Sequence, residues 1–249
     1  FSIGGSVRLI YSDGKVKAYK DRAYAENMTG DTIEFGYNLA LSYKPQPETT
    51  LSITYRSNVD LDLEGSSTGF IAVSSPQLPY YDTPGGVSVP LPATLALAAA
   101  HTFGKTRVEL VYERTYWSAY ETLDFHFENS VVEAVFGNPI DKNWSDTNTF
   151  RIGITHQLDE KWTLMAGYAY DESPIPEKTL GFELPDADAN IFSLGAIMQI
   201  DKDLEAGFSL LYDHKDERSV HASLNENGID GTFSKGGAIL TNISIGYRF

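Results

Sequence analysis

Along most of this chain apolar and polar residues alternate one by one, the period of a strand with two chemically different faces. Residues 33–43 set Ile33, Phe35, Tyr37, Leu39, Leu41 and Tyr43 against Glu34, Gly36, Asn38, Ala40 and Ser42. Residues 51–64 set Leu51, Ile53, Tyr55, Val59, Leu61 and Leu63 against Ser52, Thr54, Arg56, Asn58, Asp60, Asp62 and Glu64. The same split runs through 162–171, 204–213 and 239–249, and less cleanly through 3–11, 91–101, 106–117, 150–158 and 191–200. This pattern predicts about ten strands, each near the 9–11 residues that cross a bilayer at a tilt. The apolar face of such a strand meets lipid and the small polar face meets a lumen.

The connections point the same way. Links at 45–48, 103–105, 159–161 and 201–203 are short, while 13–30, 65–88, 119–147, 172–189 and 214–237 are long. A soluble sandwich has no reason to sort its turns by length onto two ends. Outer-membrane barrels do, with short periplasmic turns and long external loops. The last residue, Phe249, follows an alternating strand and resembles the C-terminal signature of bacterial outer-membrane proteins. The expectation is an all-β fold, a transmembrane antiparallel β-barrel of the outer membrane, with residues 1–249 forming a single domain.

Composition then fits. No stretch approaches the 18 or so apolar residues of a membrane helix, and the mean hydropathy of -0.24 is what one-by-one alternation produces. Tyr 15 and Phe 13 are plentiful and many fall near strand ends, as in an aromatic girdle. Cys 0 removes thiol chemistry, and the net charge of -15 argues against a nucleic-acid partner. The chain opens on a strand at Phe1, without the charged and apolar regions of an export signal, so an upstream segment is expected.

Three stretches carry a family resemblance. They are Ile53-Thr54-Tyr55-Arg56-Ser57-Asn58-Val59-Asp60-Leu61-Asp62; Asp171-Glu172-Ser173-Pro174-Ile175-Pro176 followed by Leu184-Pro185-Asp186-Ala187-Asp188; and Trp144, Asp146 and Thr147 leading into Phe150-Arg151-Ile152-Gly153. In this order they resemble the FadL family of outer-membrane transporters for long-chain fatty acids and other hydrophobic compounds. The resemblance implies a barrel of fourteen strands with an N-terminal hatch. The hatch, the first strands and the family's sideways-opening kinked strand would then lie upstream of this chain. It also implies passive uptake of a hydrophobic cargo by a monomer in contact with outer-membrane lipid and lipopolysaccharide, without a cofactor.

Candidate cargo contacts follow from the chemistry of an amphiphile, which needs an apolar groove for its tail and a cation for its carboxylate. The loop with Phe70, Ile71, Leu78, Tyr80 and Tyr81 is unusually apolar for an external one, and the 13–30 segment offers Lys15, Lys17, Lys20 and Arg22. The resemblance makes these two loops a surface groove, with Lys20 and Arg22 meeting the carboxylate. The same residues also suit a barrel cap and lysines in contact with lipopolysaccharide. Arg8, Glu34, Arg56, Asp60, Asp62, Arg107, Glu109, Glu113, Arg151 and Glu205 are expected to face the lumen as a charge network. Cross-strand pairs that hold the wall are the ordinary use of such residues.

Three other readings have weaker support. The acidic groups Asp60/Asp62/Glu64 and Asp186/Asp188 lack the glycine-punctuated spacing of a calcium loop, so no metal is expected. Asp213-His214 is the one adjacent pair that could orient a base for a barrel enzyme, and no nucleophile stands beside it, so no catalytic residue is expected. A general diffusion porin predicts a polar constriction and no apolar external loop.

Overall fold

The computed structural model describes residues 1–73 and 76–248, so the terminal Phe249 lies outside the described residues. The first hairpin is β1 (Ser2–Lys20) against β2 (Tyr24–Gln46), paired without a break from Ser2↔Ser42 to Lys20↔Tyr24. Residues 13–30 are therefore strand and not the expected long loop. Their outward residues include Lys15 and Lys17, so no apolar face marked the segment as strand. Its turn is closed by the Ala23 amide donating to the Lys20 carbonyl at 2.9 Å.

Two successive strands then share β2 as a neighbour. β3 (Thr49–Arg56) pairs with its second half and β4 (Val59–Ile71) with its first. β5 (Leu78–Leu91) and β6 (Thr94–Phe103) pair with β4 and β3 in turn. β7 (Thr106–Thr115) lies on β6 and β8 (Thr122–Phe127) on β5. Residues 65–88 are thus mostly hairpin too, with β4 running to Ile71 and β5 starting at Leu78. The helix α1 (Ser130–Phe136), capped by Asn129, and the short β9 (Ile140–Asp141) follow. The wall then continues through β10 (Thr147–Gln157), β11 (Trp162–Asp171), β12 (Ala189–Gln199) and β13 (Leu204–Lys215). β14 (Arg218–Val220) and β15 (Gly231–Phe233) form a separate ribbon before β16 (Gly237–Tyr247) rejoins β13. Among the described residues sixteen strand segments are present where alternation alone predicts about ten: β4 is a separate segment after the 51–56 strand, and β5, β8, β9, β14 and β15 fall in stretches expected as long loops. Among the described residues β1 pairs only with β2 and β16 only with β13, so the sheet is open.

The two faces of β10–β13 and β16 fall as alternation predicts. One row on the outer face reads Ile152, Tyr168, Phe192, Tyr212 and Ile239, each opposite the next across a strand pair. These residues are exposed or half-exposed, and Ile243 shows 79% of its surface. A continuous apolar face of this kind suits lipid as solvent. Toward the long-loop end the tyrosine hydroxyls find polar partners: Tyr112 on Asn148 at 2.8 Å, Tyr168 on Asn190 at 2.7 Å and Tyr170 on Asp188 at 2.7 Å. Toward the other end His101 and His156 bond Thr49 and Thr106, each at 2.8 Å. This is the girdle chemistry of rings with one apolar and one wet end.

The short links gather at that second end. Gly104 takes φ 59 in one of them. In two others an aspartate caps the returning strand: Asp159 accepts from the Lys161 and Trp162 amides, and Asp201 from those of Asp203 and Leu204.

The main departure from simple alternation is at Ser57 and Asn58. β3 is registered with Arg56 opposite Asn38, and β4 with Glu64 opposite Asp31. The β3–β4 side therefore holds one residue more than β2 over this interval, a bulge. A one-residue shift moves every later side chain to the other face. Val59, Leu61 and Leu63 consequently turn inward and are buried with Met28, Ile71, Tyr81, Val87, Phe127 and Val132. Asp60 and Asp62, expected in the lumen, lie on the opposite face and are exposed. Gly36 makes room for the crossing, since a Cβ there would stand 2.6 Å from Val59 and 2.9 Å from the Arg8 guanidinium.

Candidate functional site

Pairing assembles the expected cargo contacts at the tip of the long hairpins. Lys20 lies opposite Tyr24, Tyr24 opposite Ile71, and Ile71 opposite Leu78, so one row crosses four strands. Phe70 lies opposite Ala25, and Tyr81 opposite Gly69. The residues meet, yet they face different ways. Ile71 is 0% exposed and Tyr81 4%, both within the apolar cluster under the tip, and Leu78 packs against it. Tyr80 is 69% exposed, Phe70 is half-buried, and Lys20 and Arg22 stand at the turn. Ile71 and Tyr81 are core residues, which corrects the expectation that they line a groove. A large apolar side chain that is already covered has no surface to offer a ligand.

The tip core also encloses a polar group that alternation did not flag. Glu26 and Ser67 are buried beside Tyr81, and the Ser67 hydroxyl donates to the Glu26 carboxylate at 3.3 Å. Burial pushes the Glu26 carboxyl above the usual carboxylate range, and also pushes the Tyr81 phenol up. Gly69 is required here: a Cβ would lie 1.9 Å from the Ala25 carbonyl oxygen. On the other side of the long-loop end, Ile175, Leu180, Val220 and Ile229 pack with Trp144 and Phe233. Asn225 stitches that second core by donating to the Glu177 and Leu180 carbonyls at 2.7 and 2.9 Å.

The expected lumen charges divide into two groups. Arg107 pairs with Glu109 at 3.0 Å and Arg151 with Glu113 at 3.1 Å, all on the inner face of β7 and β10. Glu205 lies inward against Gly246. Arg8, Glu34 and Arg56 share the inner face of β1–β3, where no ion pair among the described residues includes them. Asp213 and His214 are successive strand residues on opposite faces, and the His214 ring stands beside Tyr212 instead. That geometry removes the base-orienting pair of the enzyme reading.

The inner wall holds a feature that the polar count concealed. Val111, Met165, Ala169, Ile191 and Leu211 line a cavity of ≈ 500 Å³ together with Gly153, Gly167, Gly195 and Ser209. Glu109 and Arg151 stand at its margin. A barrel interior is normally polar, yet the lining here is mostly apolar or too small to project. Sequence reading missed it because Met165, Ala169 and Leu211 sit singly among glycines and serines, which alternation scores as the polar side.

An antiparallel wall with an apolar outer face and a partly apolar inner one matches a known family over its whole length. The model of the outer membrane protein transport protein family (OMPP1/FadL/TodX) covers residues 1–249. The chain belongs to this family.

Its similarity to individual OMPP1/FadL/TodX members is distant in sequence and close in fold. The chain is 25% identical over 234 residues to the 47 kDa outer membrane protein of Pasteurella multocida, covering 89% of this chain and 52% of that protein. It is 27% identical over 194 residues to the long-chain fatty acid transport protein of Salmonella typhi, covering 76% and 44%. The chain thus spans about half the length of these relatives. Among solved structures it superposes on a Pseudomonas aeruginosa FadL homologue with TM-score 0.74 at 17% identity, covering 98% of this chain and 62% of that one. It superposes on the CymD monoaromatic hydrocarbon channel with TM-score 0.70 at 18% identity, covering 99% and 69%. These likenesses show the fold of the OMPP1/FadL/TodX barrels and place the chain among outer-membrane proteins.

Proposed function

We propose that this chain forms most of the wall of an outer-membrane channel that takes up long-chain fatty acids or other hydrophobic compounds by diffusion. The observation that carries the reading is the apolar cavity on the inner wall, where Val111, Met165, Ala169, Ile191 and Leu211 meet. Its volume is in the range of small-molecule sites, and apolar lining in a lumen favours a cargo that leaves water readily. A general diffusion porin has no use for such a surface.

In this reading the short links face the periplasm and the paired cores cap the external end. The unpaired edges of β1 and β16 support a fourteen-stranded wall completed by segments outside this chain, with a hatch among them. The whole works as a monomer and needs no cofactor. Phe70 and Tyr80 offer the first apolar contact, Lys20 and Arg22 attract a carboxylate, and the outward Lys15 and Lys17 meet lipopolysaccharide.

The test uses the full-length protein. Val111→Asn with Leu211→Asn should slow uptake of a long-chain fatty acid and of an aromatic hydrocarbon, with the amount of folded, heat-modifiable barrel unchanged. Unaltered uptake of both would overturn the reading. Rapid entry of small sugars into liposomes holding the unaltered protein would favour the porin.

A further inference from the structure

The inner face of the first three strands carries two arginines that, among the described residues, no acid pairs with. Arg8 lies opposite Gly36 and Arg56 opposite Asn38, so both project inward, two positions apart along β2. They stand on the two strands that flank β2, on the same inner side. Arg8 Nη2 donates to the Ser57 carbonyl at 3.0 Å, and its Nε is buried without a partner. Among the described residues neither arginine has a carboxylate within ion-pair distance, whereas Arg107 and Arg151 on the same wall each do. Glu34 shares the face but accepts from the Thr32 hydroxyl at 3.0 Å.

The bulge at Ser57–Asn58 explains the vacancy of partners. Continuous alternation would have set Asp60 and Asp62 beside Arg56, and the extra residue turns both away. Two guanidinium groups turned to one space from either side of β2 repel each other, and an anion between them relieves that cost. A carboxylate fits best, because the guanidinium fork grips its two oxygens together.

We infer that Arg8 and Arg56 form a subsite for the carboxylate headgroup of an amphiphilic cargo, with the tail running along the inner wall to the Val111 cavity. The inner face of β6 between them presents Ala96 and Ala98, opposite Thr54 and Ser52 on β3 and opposite Glu113 and Val111 on β7. Arg56 shares a row with Thr94 on β6 and Thr115 on β7, four residues along the strand from Val111, so two strand spacings of about 4.8 Å each and about 13 Å along the strand separate it from the cavity, over a path with no bulky side chain from β6. The inference rests on the uptake reading, and it adds a preference for anionic over neutral hydrophobes.

The experiment compares a long-chain fatty acid with the alcohol of the same chain length, each displacing a fluorescent fatty acid from the full-length protein in a non-ionic detergent. The unaltered protein should bind the acid more tightly, and added salt should narrow the difference. Arg8→Gln with Arg56→Gln should weaken the acid roughly tenfold and leave the alcohol unchanged, while Arg56→Lys should retain most of the preference. Equal binding of acid and alcohol by the unaltered protein would overturn the subsite and leave the uptake reading standing. So would a double variant that weakens both ligands alike. A double variant that loses heat stability but keeps the acid-to-alcohol ratio would show that the carboxylate comes from another part of the protein, which also overturns it. Failure of the unaltered protein to bind either ligand would remove the uptake reading itself.

Discussion

Ile71 separates a core from a groove at the external tip. It has no exposed surface and lies in the cluster with Met28, Tyr81 and Val132, in the row Tyr24–Ile71–Leu78. Truncating a fully buried isoleucine to alanine costs about 2–5 kcal/mol, the transfer term plus the cavity left behind. The cost should fall on the tip alone, because the ladders of β10–β13 share no core with it and proteins open in local units. Even about 2 kcal/mol multiplies the open population of the tip roughly thirtyfold. Protease added to intact cells should therefore cut Ile71→Ala near residues 72–77 far faster, since cleavage follows the open population when closing is quick. Tyr80→Ala, at a position 69% exposed, should change protection by less than about 0.5 kcal/mol. Hydrogen exchange along β4 and β5 reads the same difference without a protease. If Ile71→Ala leaves protection intact while slowing uptake, Ile71 is a cargo contact and the core assignment is wrong.

Three further outcomes follow from particular contacts. Burial raises the Glu26 carboxyl, so its contribution to tip stability is full below the ordinary carboxylate range and is lost as pH rises through the raised value; in Glu26→Gln that loss of tip protection on raising the pH should vanish, and its persistence would point to another group. Gly65→Ala places a Cβ 2.0 Å from the Thr29 carbonyl oxygen, whereas a Cβ at Gly153 meets nothing within 4 Å; the first should speed exchange across the β2–β4 ladder and the second should leave it unchanged, and equal effects would refute the close approach. Cysteines placed at Gly104 and Lys202 should react with an impermeant reagent only after the cells are permeabilised, and one at Tyr80 without it, so reaction at 104 in intact cells would invert the proposed orientation.

How much could be read beforehand depends on whether alternation ran unbroken. In β10–β13 and β16 it did, and the faces of Tyr168, Phe192, Phe208 and Ile243 follow from counting by twos. Between residues 13 and 30 the strand leaves the proposed lipid zone. Its outward lysines then carry no hydropathy signal, although the backbone pairing with β2 continues. The cargo residues proved legible as a neighbourhood and not as a surface: Phe70, Ile71, Leu78, Tyr80 and Tyr81 do converge, but the side each presents depends on register, which composition does not specify.

The Ser57–Asn58 bulge was hidden for a more basic reason. The apolar positions on either side of it, Tyr55 and Val59, keep the same odd parity. A bulge that adds one residue therefore leaves the written pattern unbroken while inverting the faces in space. Its consequences are linked. Val59, Leu61 and Leu63 turn inward and join the tip core with Met28 of β2 and Tyr81 and Val87 of β5. Asp60 and Asp62 leave the lumen in the same step, and Arg8 and Arg56 are left without those two acids. The misplaced carboxylates, the buried core where a groove was expected and the proposed anion subsite thus share one physical cause. That makes the bulge the position from which the three should rise or fall together.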